Sequence, residues 1–204
     1  LSVLGRLDAD AATAMIRMLT DLDLYNLMMA RETNFRFSDQ SSVFQNRGML
    51  RYLRRLVEPG NEHAVARIQR ERPILQLTTH YLLSIAGPLF PALGDRLRVL
   101  EVVRHPLYMI KQWYAYIGRY GTDVRDFTIW IDHEGQEVPF FAHGWEGRYL
   151  ASNLMDRTIY SIEHLLGMSR RLVEGLSEPE RERVLIVPFE RFVLDPWPFL
   201  RRLE

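Results

Sequence analysis

Apolar residues recur at helical spacing in several stretches of the chain. From Asp10 to Ala30, apolar side chains fall three or four positions apart with charged residues between them, which predicts an amphipathic helix. Met49–Leu56 and Glu62–Arg70 have similar spacing and are separated by the turn sequence Pro59-Gly60-Asn61. A longer apolar stripe predicts a helix from Asp156 to about Gly175. The chain is therefore predicted to be rich in helix.

Three short segments rich in branched apolar residues predict buried strands: Ile74–Thr79, Leu97–Val103 and Val184–Val187. Helices separate them, which is typical of a parallel sheet with helices on its faces. Phe127–Asp132 and Glu137–Phe141 flank the turn sequence His133-Glu134-Gly135-Gln136 and predict an inserted β-hairpin. The predicted fold class is therefore α/β, with a parallel β-sheet flanked by helices and an inserted β-hairpin.

Composition narrows the function classes. The 26 basic and 26 acidic residues cancel, so the chain lacks the basic footprint of a nucleic-acid-binding protein, and any anion site must be a local cluster. Cysteine is absent, which excludes disulfides, thiolate metal sites and cysteine nucleophiles. Lys111 is the only lysine. The histidines show no spacing typical of metal ligands, so we expect no metal.

The length and the chain ends bear on domain organisation. A chain of 204 residues suits one domain, predicted over residues 1–204. Leu1 is not methionine and Glu204 ends within a helix-like pattern, so we expect a domain truncated at both ends. No apolar run approaches the ~20 residues of a membrane span, and no signal peptide is visible, so we expect a cytoplasmic location. The sequence does not indicate the oligomeric state.

Arg104 is a candidate anion ligand. Residues Val102–Leu107 run from a predicted strand into a helix, with Pro106 near the first helical turn. An arginine there presents its guanidinium to a phosphate beside the free N–H groups of the helix N-terminus. On spacing alone, the commoner role of such an arginine is to pair with a carboxylate and cap the sheet.

His80 is a candidate general base. It follows the first predicted strand as Arg104 follows the second, so both are expected at the carboxyl edge of one sheet, where α/β folds bind ligands. An unperturbed imidazole, with a pKa of about 6.5, is largely neutral at working pH and can accept a proton from a hydroxyl. A lone histidine is more often hydrogen-bonded within a loop, and only the pairing with Arg104 favours the catalytic role.

Three ordered segments together resemble the sulfotransferase family: Thr78-Thr79-His80, Arg104-His105-Pro106, and Val187–Phe192 followed by Asp195-Pro196. The resemblance covers roughly two-thirds of the chain. It implies a P-loop NTPase-like three-layer sandwich and transfer of a sulfuryl group from 3′-phosphoadenosine 5′-phosphosulfate to a hydroxyl or amine. The acceptor would be a carbohydrate, a lipid or a small molecule.

The resemblance also implies residue roles. His80 would be the general base, and Arg104 would hold the 3′-phosphate of the cofactor. Gln112 occupies a position, eight residues after Arg104, where the family commonly has serine, and its amide would assist. Glu190 would buttress the sheet and its loops.

Two further departures from the family's pattern are a lost lysine and a missing phosphate loop. Thr78 replaces the family's usual lysine, a loss for which Lys111 would compensate at the cofactor site. The family's glycine-rich phosphate loop is absent from these residues, which we interpret as truncation rather than lost activity.

Aromatic residues follow the candidate site and surround the hairpin. Trp113-Tyr114-Ala115-Tyr116 is predicted to be mainly core, although stacking on a sugar or adenine is the alternative. Trp130, Phe140, Phe141, His143 and Trp145 lie around the hairpin, where an acceptor lid and a packed aromatic hairpin are both open.

Two other functions compete with sulfuryl transfer. A P-loop group transferase such as a small-molecule kinase would need a metal-binding acid at a strand end, and Asp132, in a predicted hairpin, is poorly placed for that role. A non-catalytic relative that binds a carbohydrate or a protein is favoured by Thr78, Gln112 and the missing phosphate loop but opposed by His80 and Arg104.

Overall fold

The computed structural model of the protein describes residues 7–78, 81–123 and 128–203. The described residues form two compact units. The N-terminal unit contains residues 7–78 and 91–93, and the C-terminal unit contains residues 81–90, 94–123 and 128–203. The single domain predicted from the sequence stays a prediction.

The N-terminal unit is helical. Its helices are α1 (Ala9–Met28), α2 (Met49–Val57) and α3 (Glu62–Glu71), close to the bounds that the apolar spacing predicts. Asp8 caps α1 by accepting the backbone N–H of Asp10 at 2.9 Å. The buried Arg67 of α3 donates to the Met28 carbonyl at 2.6 Å and pairs with Glu58, so one guanidinium joins the ends of two other helices.

The strand predicted over Ile74–Thr79 is wrong for its described residues, 74–78, which form no strand. Ile74 is 94% exposed, although the pattern suggested a buried position. A strand requires a neighbour to pair its N–H and C=O groups, and the described residues provide none for this segment. Thr79 lies outside the described residues.

The C-terminal unit mixes helices with two small sheets. Its first part contains α4 (Leu82–Ile85), the beginning of α5 (Leu89–Leu93), β1 (Val99–Val103), α6 (Pro106–Gly118), β2 (Trp130–His133) and β3 (Gln136–Pro139). Its second part contains α7 (Glu146–Ala151), α8 (Leu154–Gly175), α9 (Glu178–Arg181), β4 (Val184–Pro188), α10 (Phe189–Leu194) and α11 (Trp197–Leu200). Within the described residues, no helix is long and apolar enough to cross a membrane.

Strands β1 and β4 pair in parallel, with Val99 opposite Val184 and Val103 opposite Pro188. These are the second and third predicted strands, and their pairing confirms the α/β class with a parallel sheet of two strands. Parallel pairing places the carboxyl ends of both strands at the same edge of the sheet.

The predicted hairpin is confirmed with shorter strands: Phe127 lies outside the described residues, and Phe140 and Phe141 belong to a 3₁₀ turn. Strands β2 and β3 pair antiparallel, with Ile131 opposite Val138 and His133 opposite Gln136. The connecting residues Glu134 and Gly135 have positive φ angles of 52° and 80°. Positive φ at both central residues suits the right-handed twist of a two-residue hairpin.

An aromatic cluster forms the core beside α6. We define it as Trp113, Tyr116, Tyr120, Phe141 and Tyr149, contributed by α6, the residues after it, the turn after β3, and α7. The Phe141 ring is 3% exposed, and its centroid lies 5.5 Å from those of Trp113 and Tyr120 in edge-to-face contacts. The prediction that the aromatic run of α6 is mainly core is confirmed for Trp113, while Tyr114 is exposed.

Candidate functional site

The carboxyl ends of β1 and β4 bring two of the segments singled out in the sequence together. Because Val103 and Pro188 are paired, the next residues, Arg104 and Phe189, follow from the same edge of the sheet. The Arg104 guanidinium lies over the Phe189 ring, 4.9 Å from its centroid. We call this region, with His105, Pro106 and Glu190, the carboxyl edge.

His105 starts α6 and fixes its position at the edge. Its Nδ1 accepts the backbone N–H of Leu107 at 3.3 Å, which is an N-cap contact, and Pro106 occupies the first helical position. The backbone N–H of His105 donates to the Glu190 carboxylate at 3.0 Å. Glu190 thus joins the chain after β4 to the chain after β1, as expected of a buttress.

The Glu190 carboxylate is committed to the backbone. Hydrogen bonds from the backbone N–H groups of His105 and of Glu190 itself lower the pKa of the Glu190 carboxyl below its ordinary value. The positive charge of Arg104 acts in the same direction. The carboxylate is therefore ionised at neutral pH. Its negative charge binds backbone N–H groups at the beginnings of α6 and α10.

Arg104 is exposed and, within the described residues, forms no ion pair. The sequence also allowed this arginine to cap the sheet by pairing with a carboxylate, and no such pair occurs among the described residues. Glu190, the acid that affects it, binds the His105 N–H instead. The planar guanidinium remains available to an anion from solvent.

Lys111 and Gln112 lie on the exposed side of α6. Tyr108 shares this side because residues three and four apart are neighbours on a helix surface. The opposite side carries Trp113 and Ile117, which are buried in the core. The helix therefore presents one cation and one amide to solvent along the face that continues from its N-terminus.

The structure does not place His80 or Thr78 at the carboxyl edge. His80 lies outside the described residues, so its role as general base stays a prediction. Thr78 belongs to the N-terminal unit, where its hydroxyl accepts a bond of 3.4 Å from the Gln76 amide.

Two aromatic residues at the edge had no role in the sequence interpretation. Phe189 supports the Arg104 guanidinium, and Tyr108 contacts the His105 ring with 5.7 Å between centroids. The signal for Phe189 was its position directly after β4, which matches that of Arg104 after β1. Tyr108 was detectable from its helical spacing to Lys111 and Gln112.

The residues around the hairpin are mostly engaged with each other. Phe141 is buried, and its carbonyl accepts the indole N–H of Trp145 at 3.0 Å. His143 Nδ1 lies 2.9 Å from a Glu146 carboxylate oxygen, which also accepts the Gly144 N–H at 2.8 Å. These contacts fit the packed aromatic hairpin; the acceptor lid stays a prediction.

Arg104 is the charged donor that the carboxyl edge offers to a ligand, and Lys111 and Gln112 are exposed further along α6. The first donors of α6 are already used, since the Leu107 N–H binds the His105 ring and the Tyr108 N–H binds the His105 carbonyl. A planar guanidinium without an ion pair among the described residues suits a ligand with charged oxygens, such as a phosphate ester. No family model, curated protein or solved structure matches the chain.

Proposed function

We propose that this protein is a sulfotransferase that uses 3′-phosphoadenosine 5′-phosphosulfate and binds the 3′-phosphate at the carboxyl edge. One observation carries the proposal: Glu190 bonds the His105 backbone and leaves the Arg104 guanidinium free of an ion pair among the described residues. The acceptor is a hydroxyl or amine of a carbohydrate, lipid or small molecule. A P-loop NTPase-like three-layer arrangement is part of the same proposal.

Arg104 at the carboxyl edge, with two polar residues further along α6, fits the phosphate part of this cofactor. Arg104 supplies a planar charged donor, Lys111 a second positive charge, and Gln112 a neutral donor. The Phe189 ring packs against the Arg104 guanidinium and restricts its motion, which reduces the conformational entropy lost when the guanidinium binds an anion. When bound, the cofactor supplies the activated sulfuryl group.

His80 completes the proposed chemistry from the sequence pattern. A neutral imidazole accepts the proton of the acceptor hydroxyl as the oxygen forms its bond to sulfur. The bond between sulfur and the phosphate oxygen breaks, and 3′-phosphoadenosine 5′-phosphate leaves. Arg104 positions the nucleotide and takes no proton.

Calorimetric titration with 3′-phosphoadenosine 5′-phosphate tests the binding part of the proposal. Arg104→Ala is expected to weaken binding about tenfold to a hundredfold, because it removes charge-assisted hydrogen bonds worth roughly 1.5–3 kcal/mol. The matched control is Arg119→Ala, which removes an exposed arginine at the opposite end of α6. Equal affinity of the two variants, or no binding to the unsubstituted protein, would contradict the proposal.

Transfer assays separate the competing functions. His80→Ala is expected to abolish sulfuryl transfer to a panel of sugar, lipid and phenol acceptors while nucleotide affinity is nearly unchanged. Nucleotide binding without transfer by the unsubstituted protein would favour the non-catalytic alternative. Tighter binding of Mg-ATP than of 3′-phosphoadenosine 5′-phosphate would favour the kinase alternative.

A further inference from the structure

A second arginine-lined region lies at the opposite end of the two-stranded sheet. There, at the beginnings of β1 and β4, a cavity of 240 Å³ is lined by Arg98, Val99, Glu182, Arg183, Leu185 and Arg202, among others. We call it the amino-edge cavity. All of its lining residues belong to the C-terminal unit.

Arg183 is the most buried of the three arginines, with a side chain only 11% exposed. Its guanidinium donates to the carbonyls of Pro179, at 3.1 Å, and Gly94, which are neutral acceptors. The nearest carboxylate among its ion pairs is that of the fully exposed Asp95, at 3.8 Å. A charge largely removed from water and poorly neutralised is costly, and an added anion reduces that cost.

Arg98 and Arg202 complete the positive lining. Arg98 donates to the carbonyls of Asp95 and Leu97, both at 2.8 Å, so it too is anchored by neutral acceptors. The backbone N–H of Arg202 donates to the Phe199 carbonyl at 3.2 Å, but its guanidinium forms no hydrogen bond or ion pair within residues 7–78, 81–123 and 128–203.

Three carboxylates lie nearby: Glu182 lines the cavity, Asp95 is 3.8 Å from Arg183, and the charge of Arg183 lowers the pKa of Glu180. Glu180 binds the N–H and hydroxyl of Ser177, and within the described residues neither Arg98 nor Arg202 forms an ion pair. These two guanidinium groups are therefore available to an added anion.

The volume limits the size of a ligand. Since a water molecule occupies about 30 Å³ of liquid, the cavity has room for roughly eight. The cavity is partly open to solvent, so this volume describes the space for the charged group of a ligand. A tetrahedral oxyanion with a few waters, or a short ester of one, fits.

We propose that the amino-edge cavity binds a phosphate-class oxyanion, either free or as the terminal group of a short phosphate monoester. Arg98 and Arg202 contact the anion, and Arg183 supplies a fixed positive charge in the wall. This site is separate from the carboxyl edge and does not depend on the proposed sulfotransferase function.

Calorimetry with orthophosphate and with glycerol 3-phosphate, at ionic strength held constant with potassium chloride, tests the proposal. Both anions are expected to saturate one site, and the tighter one identifies whether the free anion or the ester is preferred. Arg98→Gln/Arg202→Gln is expected to weaken binding about tenfold or more, as for loss of charge-assisted hydrogen bonds. Arg202→Gln alone weakens it less and leaves the bonds of Arg98 in place.

Two controls make the result specific. Arg201→Gln and Arg119→Gln each change an exposed arginine that does not line the cavity. Both are expected to bind orthophosphate like the unsubstituted protein. The proposal is overturned if chloride alone reproduces the heat, if the double variant binds normally, or if Arg201→Gln weakens binding as much as the double variant does.

Discussion

Helix α6 lies between a buried region whose polar atoms are hydrogen-bonded within the protein and an exposed region whose charged groups face solvent. On its buried side, the aromatic cluster satisfies its polar atoms internally: the Tyr120 hydroxyl donates to the Ile129 carbonyl at 2.9 Å and accepts the Ile129 N–H at 3.0 Å. Before its N-terminus and on its exposed side, Arg104 and Lys111 form no ion pair within the described residues, and the Gln112 amide is exposed beside them.

The comparison indicates which region stabilises the unit and which one leaves its charged groups open to a ligand. In the cluster, burial raises the pKa of Tyr120 and of Tyr149, so their hydroxyls stay neutral and serve as hydrogen-bonding groups. At the carboxyl edge, charged groups remain in water, where they add little to stability. Substitutions in the cluster should therefore affect stability, and substitutions at the edge should affect binding.

Phe141→Ala should have the largest effect on stability. It removes a buried ring that contacts the rings of Trp113, Tyr120 and Tyr149, and we expect a loss of about 3–5 kcal/mol in unfolding free energy. Urea denaturation measures it. Tyr108→Ala, on the exposed side of α6, is the control and should change stability by less than about 1 kcal/mol; similar losses in both variants would remove the distinction between the two sides.

Gly121→Ala should have an intermediate effect. Gly121 has a φ of +77°, and a Cβ atom there would overlap the Trp130 indole, so we expect a loss of about 1–3 kcal/mol. Gly147→Ala is the matched control, because this helical glycine has open space around it and alanine should be neutral or stabilising by up to about 1 kcal/mol. Thermal unfolding compares the two, and an unchanged midpoint for Gly121→Ala would mean that the indole is not packed there.

Glu146→Gln should have the smallest effect, and one that depends on pH. The backbone N–H of Gly144 leads the groups that lower the pKa of Glu146 to about 2, from an ordinary value near 4.5. Because the folded pKa is the lower one, the stabilisation is complete above pH ~4.5 and is lost as the pH falls towards ~2.

The measurement is the unfolding free energy of the unsubstituted protein and of Glu146→Gln between pH ~6 and ~3. The difference between them should shrink as the pH falls. Glu163→Gln, an exposed carboxyl change on α8, controls for general charge effects. A difference that stays constant over this range would show that the Glu146 carboxylate does not stabilise the fold.

Local signals predicted much of the fold. Helix α8 was predicted from Asp156 but begins at Leu154, because Asn153 accepts the Asp156 N–H and sets the N-cap. The hairpin was predictable because Glu134-Gly135 meets a local requirement for positive φ. Such features depend on a few neighbouring residues.

Features that depend on distant partners were harder to predict. The segment 74–78 has the composition of a strand, but no sequence pattern states whether another strand will pair with it. The position of Arg104 at the end of β1 was predictable, whereas its contact with Phe189 required the pairing of β1 with β4. Arg98, Arg183 and Arg202 are likewise far apart in the chain and meet only in the fold.

Amide chemical-shift mapping of the ¹⁵N-labelled protein with 3′-phosphoadenosine 5′-phosphate tests the central claim most directly. The account predicts saturable shifts at the backbone amides of His105, Tyr108 and Glu190, with little change at Tyr120 and Phe141, and loss of the shifts in Arg104→Ala. Shifts centred on the aromatic cluster or the amino-edge cavity, or shifts that persist in Arg104→Ala, would contradict the assignment of the carboxyl edge as the nucleotide site.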